Sequence, residues 1–317
     1  MEISAKMVSE LREKTGTGMM KCKEALIATK GNFNEAVDYL RKKGLASADN
    51  KAGHATSQGL ITAKVSEDRR VAALIETNCE TDFVARNIEF VTFTNKIIDA
   101  LMANPDLDSA ASLSASVLPG GAIVEDARKG LVSKTGENIS IGRAKRLAVK
   151  PGAQGLFDTY VHGDGKIGVV VQLGCSSAQI ASRPEVVALA HDVALQVAAM
   201  NPLFPTRNEV PENVIAKEKE IILAQLQNDP KNAKKPENII NKIVEGRLDK
   251  FFKERVLIEQ AYVKDDTKSI QDLLTDAGKQ LSGTVTISSF CRWAVGERLA
   301  GVPAAAAEGA CCAGCCC

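Results

Sequence analysis

An α+β fold is predicted by three observations. The first forty-odd residues are patterned only as short helices, the body repeats a strand–turn–strand–helix unit, and two long amphipathic helices interrupt the second unit before a last strand.

The N-terminal helices come first. Ile3, Met7, Val8 and Leu11 recur at helical spacing, and Gly16-Thr17-Gly18 breaks the run. Met19, Met20, Cys22, Ala25, Leu26 and Ile27 resume it as far as Gly31. A third helix begins at Asn34 and runs through Ala36, Val37 and Leu40. Arg41-Lys42-Lys43 followed by Gly44 reads as its stop, because cations complement the carbonyl end and glycine permits a left-handed cap. The core of such a module is marginal, so a flexible joint is expected, with residues 47–58 as linker.

The repeat follows. Shifting the sequence by 96 brings Gly59-Leu60 onto Gly155-Leu156, Val65 onto Val161, Val71 onto Ile167 and Cys79 onto Cys175. Val91, Ile97 and Leu101 meet Val187, Val193 and Val197, without a gap. In the first strand Ile61, Ala63 and Val65 alternate with Thr62 and Lys64, as one buried sheet face requires. Between the copies, residues 103–121 are rich in Ser, Ala, Pro and Gly and read as a surface loop. A helix over 123–134, a turn at Thr135-Gly136-Glu137-Asn138 and a β-patterned run over 139–149 follow. Helices over 211–228 and 236–255 flank a polar, proline-bounded break, the pattern of an antiparallel helical hairpin whose ends lie close together. A short helix over 270–277 and a strand over 285–290 close the core.

Composition excludes several functions. The chain has 317 residues, with 40 Lys+Arg against 39 Asp+Glu, so no global field recruits nucleic acid or anionic lipid. No run approaches the ~20 apolar residues that span a bilayer, and no signal or transit segment is visible, so a cytoplasmic location is expected. Cys22, Cys79, Cys175 and Cys291 are widely spaced in apolar surroundings and read as buried reduced thiols.

Most candidate chemistry fails on context. Gly163-Asp164-Gly165-Lys166-Ile167-Gly168 matches G-x-G-x-x-G, but Val169-Val170-Val171 follows where a helix must open, so His162 to Lys166 is a hairpin turn and no cofactor is expected. His54, His162 and His191 lie apart, and none neighbours a Ser or Cys in a nucleophile motif. The tail Cys311-Cys312-Ala313-Gly314-Cys315-Cys316-Cys317 crowds its thiols into seven residues, whereas structural zinc takes two separated pairs; a disordered tail without metal is expected.

One pair of residues stands out. Asp82 and Phe83, in Asn78-Cys79-Glu80-Thr81-Asp82-Phe83-Val84-Ala85, sit where an apolar strand meets a helical pattern. Two readings are open: Asp82 caps the helix while Phe83 staples beneath it, the commoner use of such residues, or the pair projects as a wedge into a partner.

Here the sequence resembles a known family. Leu11-Arg12-Glu13-Lys14-Thr15-Gly16-Thr17-Gly18-Met19-Met20-Lys21-Cys22-Lys23-Glu24-Ala25-Leu26 is similar to the N-terminal signature of bacterial elongation factor Ts, and the run from Asn78 to Ala85 is similar to its second signature. Gly136-Glu137-Asn138-Ile139, His162-Gly163 and Val244-Glu245-Gly246-Arg247 also resemble family motifs, and the likeness runs over residues 1–297. The resemblance implies a UBA-like three-helix module (1–52), a core N-subdomain (53–150), a core C-subdomain (151–205 and 257–300), an inserted dimerisation-type hairpin (206–256) and a Cys-rich tail (301–317). It implies a guanine-nucleotide exchange factor that binds elongation factor Tu with GDP, disturbs its Mg/phosphate site and is displaced by GTP. It implies no catalysis, cofactor, metal, nucleic acid or membrane, and a homodimer or 2:2 complex. By resemblance Phe83 enters an apolar gap on the GTPase, with Asp82, Thr81 and Val84 on the same tip. Arg12, Met19, Met20 and Lys23 touch the partner from the N-terminal module, and Thr135, Gly136, His162 and Val263 touch it from the core. The chain departs from many relatives after Glu297, where they carry an amphipathic helix. A non-exchanging scaffold that uses the module and the hairpin is the rival function.

Overall fold

A computed structural model describes residues 3–229 and 235–297, with the backbone alone for 45–49. The N-terminal module contains α1 (Ala5–Thr15), α2 (Met19–Ala28) and α3 (Phe33–Lys51) around Leu11, Cys22, Leu26 and Ala36. Ser4 caps α1, and Gly16 ends it in a left-handed conformation.

The expected stop at Gly44 is wrong. The third helix continues through it to Lys51, so the linker is short. Gly44 is there for tertiary reasons: a Cβ would stand 2.8 Å from Ser133 Oγ on a neighbouring helix of the body. Lys21 also donates to the Ser133 carbonyl at 3.3 Å. The module therefore touches the body at Gly44 and Lys21.

The body is built twice. In the first copy, β1 (Gln58–Val65), β2 (Val71–Cys79) and β3 (Ile139–Ala148) form an antiparallel sheet in the order β1-β2-β3. The one-turn helix α4 (Asp82–Ala85) and α5 (Ile88–Ala103) follow β2, then α6 (Ala110–Ala115) and α7 (Val124–Thr135). In the second copy, β4 (Gly155–His162), β5 (Ile167–Cys175), α8 (Ala178–Ala181) and α9 (Pro184–Met200) repeat β1, β2, α4 and α5. The shift of 96 superposes β2 on β5 and α4 on α8 end to end, and both sheets bulge at matching positions, Glu76/Thr77 and Gln172/Leu173.

The predicted loop over 103–121 contains α6, capped by a Ser109–Ser112 box. Leu107, Leu113 and Leu118 are buried in the first core, and their wide spacing hid the segment from a periodicity reading.

The hairpin interrupts the second copy. It comprises α10 (Glu212–Asn228) and α11 (Glu237–Arg255), with Ile222, Leu226, Val244, Leu248 and Phe252 between them. Its ends meet as expected: Leu257 N–H donates to Phe204 C=O at 2.8 Å, and Leu203 N–H to Arg255 C=O at 2.8 Å. The chain then forms β6 (Ala261–Tyr262), β7 (Asp265–Ser269), α12 (Ile270–Gln280) and β8 (Val285–Ala294), and β8 completes the sheet β4-β5-β8.

The two sheets pack against each other, with helices outside. Ala73 and Ile75 of β2 face α5, while Ala72 and Leu74 face the second sheet beside Phe157, Val170, Cys291 and Trp293. Burial on both faces explains the unbroken apolar run in β2. Gly168 lies in this interface, where a Cβ would collide with the Ile61 side chain. The G-x-G-x-x-G run is the β4–β5 turn, with Gly163, Asp164 and Gly165 at positive φ. Gly165 C=O accepts from Ile61 N–H at 2.7 Å, so this turn ties the two sheets together. Among the body cysteines, Cys22, Cys79 and Cys291 are buried and Cys175 is half-buried. The cysteine tail lies outside the described residues. Among those described, no helix is long and apolar enough to cross a membrane.

Candidate partner-binding site

The backbone leaving β2 turns outward at Glu80 and Thr81. Thr81, not Asp82, caps α4: its Oγ1 accepts from Val84 N–H at 3.4 Å. Asp82 is the first helical residue, where a carboxylate suits the positive helix end, and its Oδ2 lies 3.5 Å from Arg86. The staple reading also fails, because the Phe83 side chain is 82% exposed. Ile88, at the start of α5, is 75% exposed.

Val84 is buried with Ala85 in the first core of the unbound chain. In a one-turn helix adjacent residues point to different sides, so Val84 anchors inward what Phe83 presents outward.

The second copy is an internal control. At its equivalent tip Ser177 caps α8 by accepting from Ile180 N–H at 3.3 Å, just as Thr81 caps α4. Asp82 and Phe83 become Ala178 and Gln179 there. The duplicated fold needs the cap but not an exposed aromatic.

The tip is held from the α7–β3 turn. Gly136 ends α7 in the left-handed region, which turns Glu137 and Asn138 back toward residues 80 and 81. The Glu137 carboxylate accepts from Thr81 N–H at 3.0 Å and from Thr81 Oγ1 at 2.6 Å. Asn138 N–H donates to Glu80 Oε1 at 2.6 Å, and the Asn138 side-chain amide donates to His54 C=O at 2.8 Å. That backbone N–H, together with His54, holds the Glu80 carboxyl below its usual range. Burial pushes the Cys79 thiol up to about 12, and its Sγ donates to Thr81 C=O at 3.1 Å, so it is an inert part of the frame.

The other sequence-predicted residues divide into two groups. Lys134 reaches Glu89 on α5 at 3.0 Å and also lines the bend at Gly16 that leads into Met19 and Met20. The tip, Thr135, Gly136 and the bend after α1 therefore share one side of the molecule. Met19 and Met20 are both exposed, so neither fills the core; Arg12 and Lys23 are exposed on the same module. His162 stands at the end of β4, its Nδ1 3.0 Å from Tyr160 OH. Its hairpin forms one wall of a groove whose other wall is Ala85, Arg86 and Val91, which places it beside the tip. Val263 is half-exposed in the β6–β7 turn, with its N–H donated to the buried Gln196 side chain; none of its described contacts leads to the tip. Ile88, Lys134 and the bracing role of Glu137 escaped the sequence reading. The signal for Glu137 was its place in a motif, but its partner lies 56 residues away.

Among the described residues, no three potential metal ligands cluster. What the tip offers is a rigidly mounted aromatic on an apolar and charged surface, which is the equipment of a binding surface.

This architecture defines a class: a helical module on a duplicated α+β core with an inserted hairpin and one projecting aromatic tip. The family model described as Elongation factor TS matches residues 80–297. The chain is 44% identical over 295 residues to elongation factor Ts of Clostridium perfringens strain SM101, covering 93% of each chain. It is 43% identical over 299 residues to that of Clostridium novyi, covering 94% of each. It is 41% identical over 297 residues to that of Nostoc punctiforme, covering 93% of each. The chain belongs to the elongation factor Ts family.

Proposed function

We propose that this chain is a guanine-nucleotide exchange factor for elongation factor Tu, working in the cytoplasm without catalysis of its own. The observation that carries the reading is Phe83, exposed on a tip whose duplicated counterpart has no aromatic. A GTPase grips GDP through phosphate-loop amides and Mg²⁺. An exchange factor must bind the nucleotide-free form better than the loaded one, and linkage then makes factor and nucleotide weaken each other equally. Phe83 supplies such a difference, because it is buried only once the partner has opened and its Mg/phosphate site is disturbed. Asp82 assists from the same tip. Arg12, Met19, Met20, Lys23, Thr135, Gly136 and His162 extend the contact, and Val263 adds a separate one. GTP displaces the factor by the same linkage.

The test is release of labelled GDP from elongation factor Tu. Adding the protein should accelerate it by orders of magnitude, whereas binding without acceleration would leave the scaffold reading.

Self-association is assigned to the hairpin. Ile221 and Leu223 on α10 and Ile239 on α11 remain exposed after the hairpin packs. Sedimentation should show a dimer that Ile221→Glu/Leu223→Glu converts to monomer; a wild-type monomer at all concentrations ends this part of the reading.

A further inference from the structure

We propose that Glu137 is a positioning residue for the Phe83 tip, a carboxylate clamp that presets the wedge before any partner arrives. The proposal rests on the exchange reading for its purpose and on geometry for its existence. Both Glu137 oxygens are taken by one residue, Thr81, through its N–H and its hydroxyl. Thr81 is the cap of α4, and Phe83 is two residues on. With only one turn, α4 has little cohesion of its own. Its direction is set by how residue 81 is held.

The duplication separates clamp from fold. The third strands of the two sheets correspond with a shift of 146, which carries Ile139 to Val285 and Ala148 to Ala294 in matching register with β2 and β5. Asn138 N–H on Glu80 then has a counterpart: Thr284 N–H donates to Ser176 Oγ at 3.1 Å. The cap has a counterpart too, in Ser177. Glu137 has none, since Gly283 takes its place. The tie at Glu80 and the cap at Thr81 therefore belong to the repeated unit. The clamp and the aromatic occur together, and only in the copy whose tip projects Phe83. A clamp on a tip without a ligand would serve nothing that the other copy does not already achieve with a glycine.

Preorganisation of this kind acts through the fraction of molecules that hold the competent shape. Losing the clamp lowers that fraction and weakens apparent affinity in proportion. Two measurements test this on the full chain. The first is residue-resolved amide hydrogen exchange of the free protein. Glu137→Ala should speed exchange at residue 81 and residues 84–86, the hydrogen-bonded amides of the tip, by about tenfold and leave the sheet amides unchanged, since local opening is what such exchange reports. Glu137→Gln keeps a carbonyl acceptor for Thr81 N–H and should restore part of the protection; it is also the variant to read if the alanine form does not fold. Unchanged protection at residue 81 and residues 84–86 in both variants overturns the clamp.

The second measurement is a double-mutant cycle on GDP release from elongation factor Tu. Glu137→Ala should slow release by about tenfold in the wild-type background and by less than about twofold in the Phe83→Ala background, because both changes act through one ring. Equal losses in both backgrounds would mean a general structural role and overturn the assignment. If Phe83→Ala alone exchanges like wild type, the exchange reading fails, while the amide measurement still decides the clamp.

Discussion

Phe83→Ala is expected to leave the melting temperature within experimental scatter while slowing GDP release from elongation factor Tu roughly a hundredfold. The two halves of this result have separate causes. A side chain that is 82% exposed contributes almost no burial to the folded chain, and surface changes of this kind stay within about 0.5 kcal/mol. The same ring, once buried in an opened partner, is an aromatic anchor of the sort whose truncation costs about 3 kcal/mol, and each 1.4 kcal/mol is a factor of ten. Phe83→Leu should recover part of the rate by keeping apolar volume. Thermal melts and stopped-flow release with labelled GDP decide it. A marked fall in melting temperature would move Phe83 into the core, and an unchanged rate would end the wedge reading.

The repeated unit was legible because its periodicity is local. Ile61, Ala63 and Val65 alternate in sequence and share the sheet–sheet interface in space. The tip was legible as a junction, since a strand pattern changes to a helical one there. The rest was hidden because its reasons are tertiary. Gly44 follows three cations and looks like a helix stop, yet it is buried against Ser133 and its helix runs on. The leucines at 107, 113 and 118 are too far apart for any short-range pattern, and the core that collects them is assembled from distant strands. Val84 shares a motif with Phe83, and motif membership does not say which side of a one-turn helix faces inward. The Glu137 clamp needs two segments brought together by the β2–β3 pairing, so it becomes visible only with that register.

The largest stability effect is expected at Arg143, where the two sheets are locked near the end of the described chain. Its Nε lies 2.6 Å from Glu76 Oε2, and both side chains are about 95% buried. The guanidinium stands 4.5 Å from the Trp293 ring centroid and donates to Ala294 C=O at 3.0 Å. Glu76 Oε1 accepts in turn from Gly296 N–H at 2.8 Å and from the Asn78 amide at 2.9 Å. One pair thus joins β2 and β3 to the end of β8. Arg143→Met keeps apolar contact with Trp293 but strands the Glu76 carboxylate, and breaking a buried pair from one side costs about 3–5 kcal/mol. The second sheet shows that its bulge needs no ions: at the matching position Ser289 Oγ donates to Gln172 Oε1 at 3.2 Å. Glu76→Gln combined with Arg143→Met should therefore be much closer to wild type than Arg143→Met alone, within about 2 kcal/mol, because the Gln carbonyl still serves Asn78 and Gly296 while no charge is left buried. Urea unfolding of Glu76→Gln, Arg143→Met and the double variant, each against wild type, measures the cycle. A loss below about 1 kcal/mol for Arg143→Met would place the pair among solvated surface contacts and remove it as the lock. A double variant as unstable as the single one would show that the cost lies in lost arginine packing on Trp293 rather than in the stranded charge.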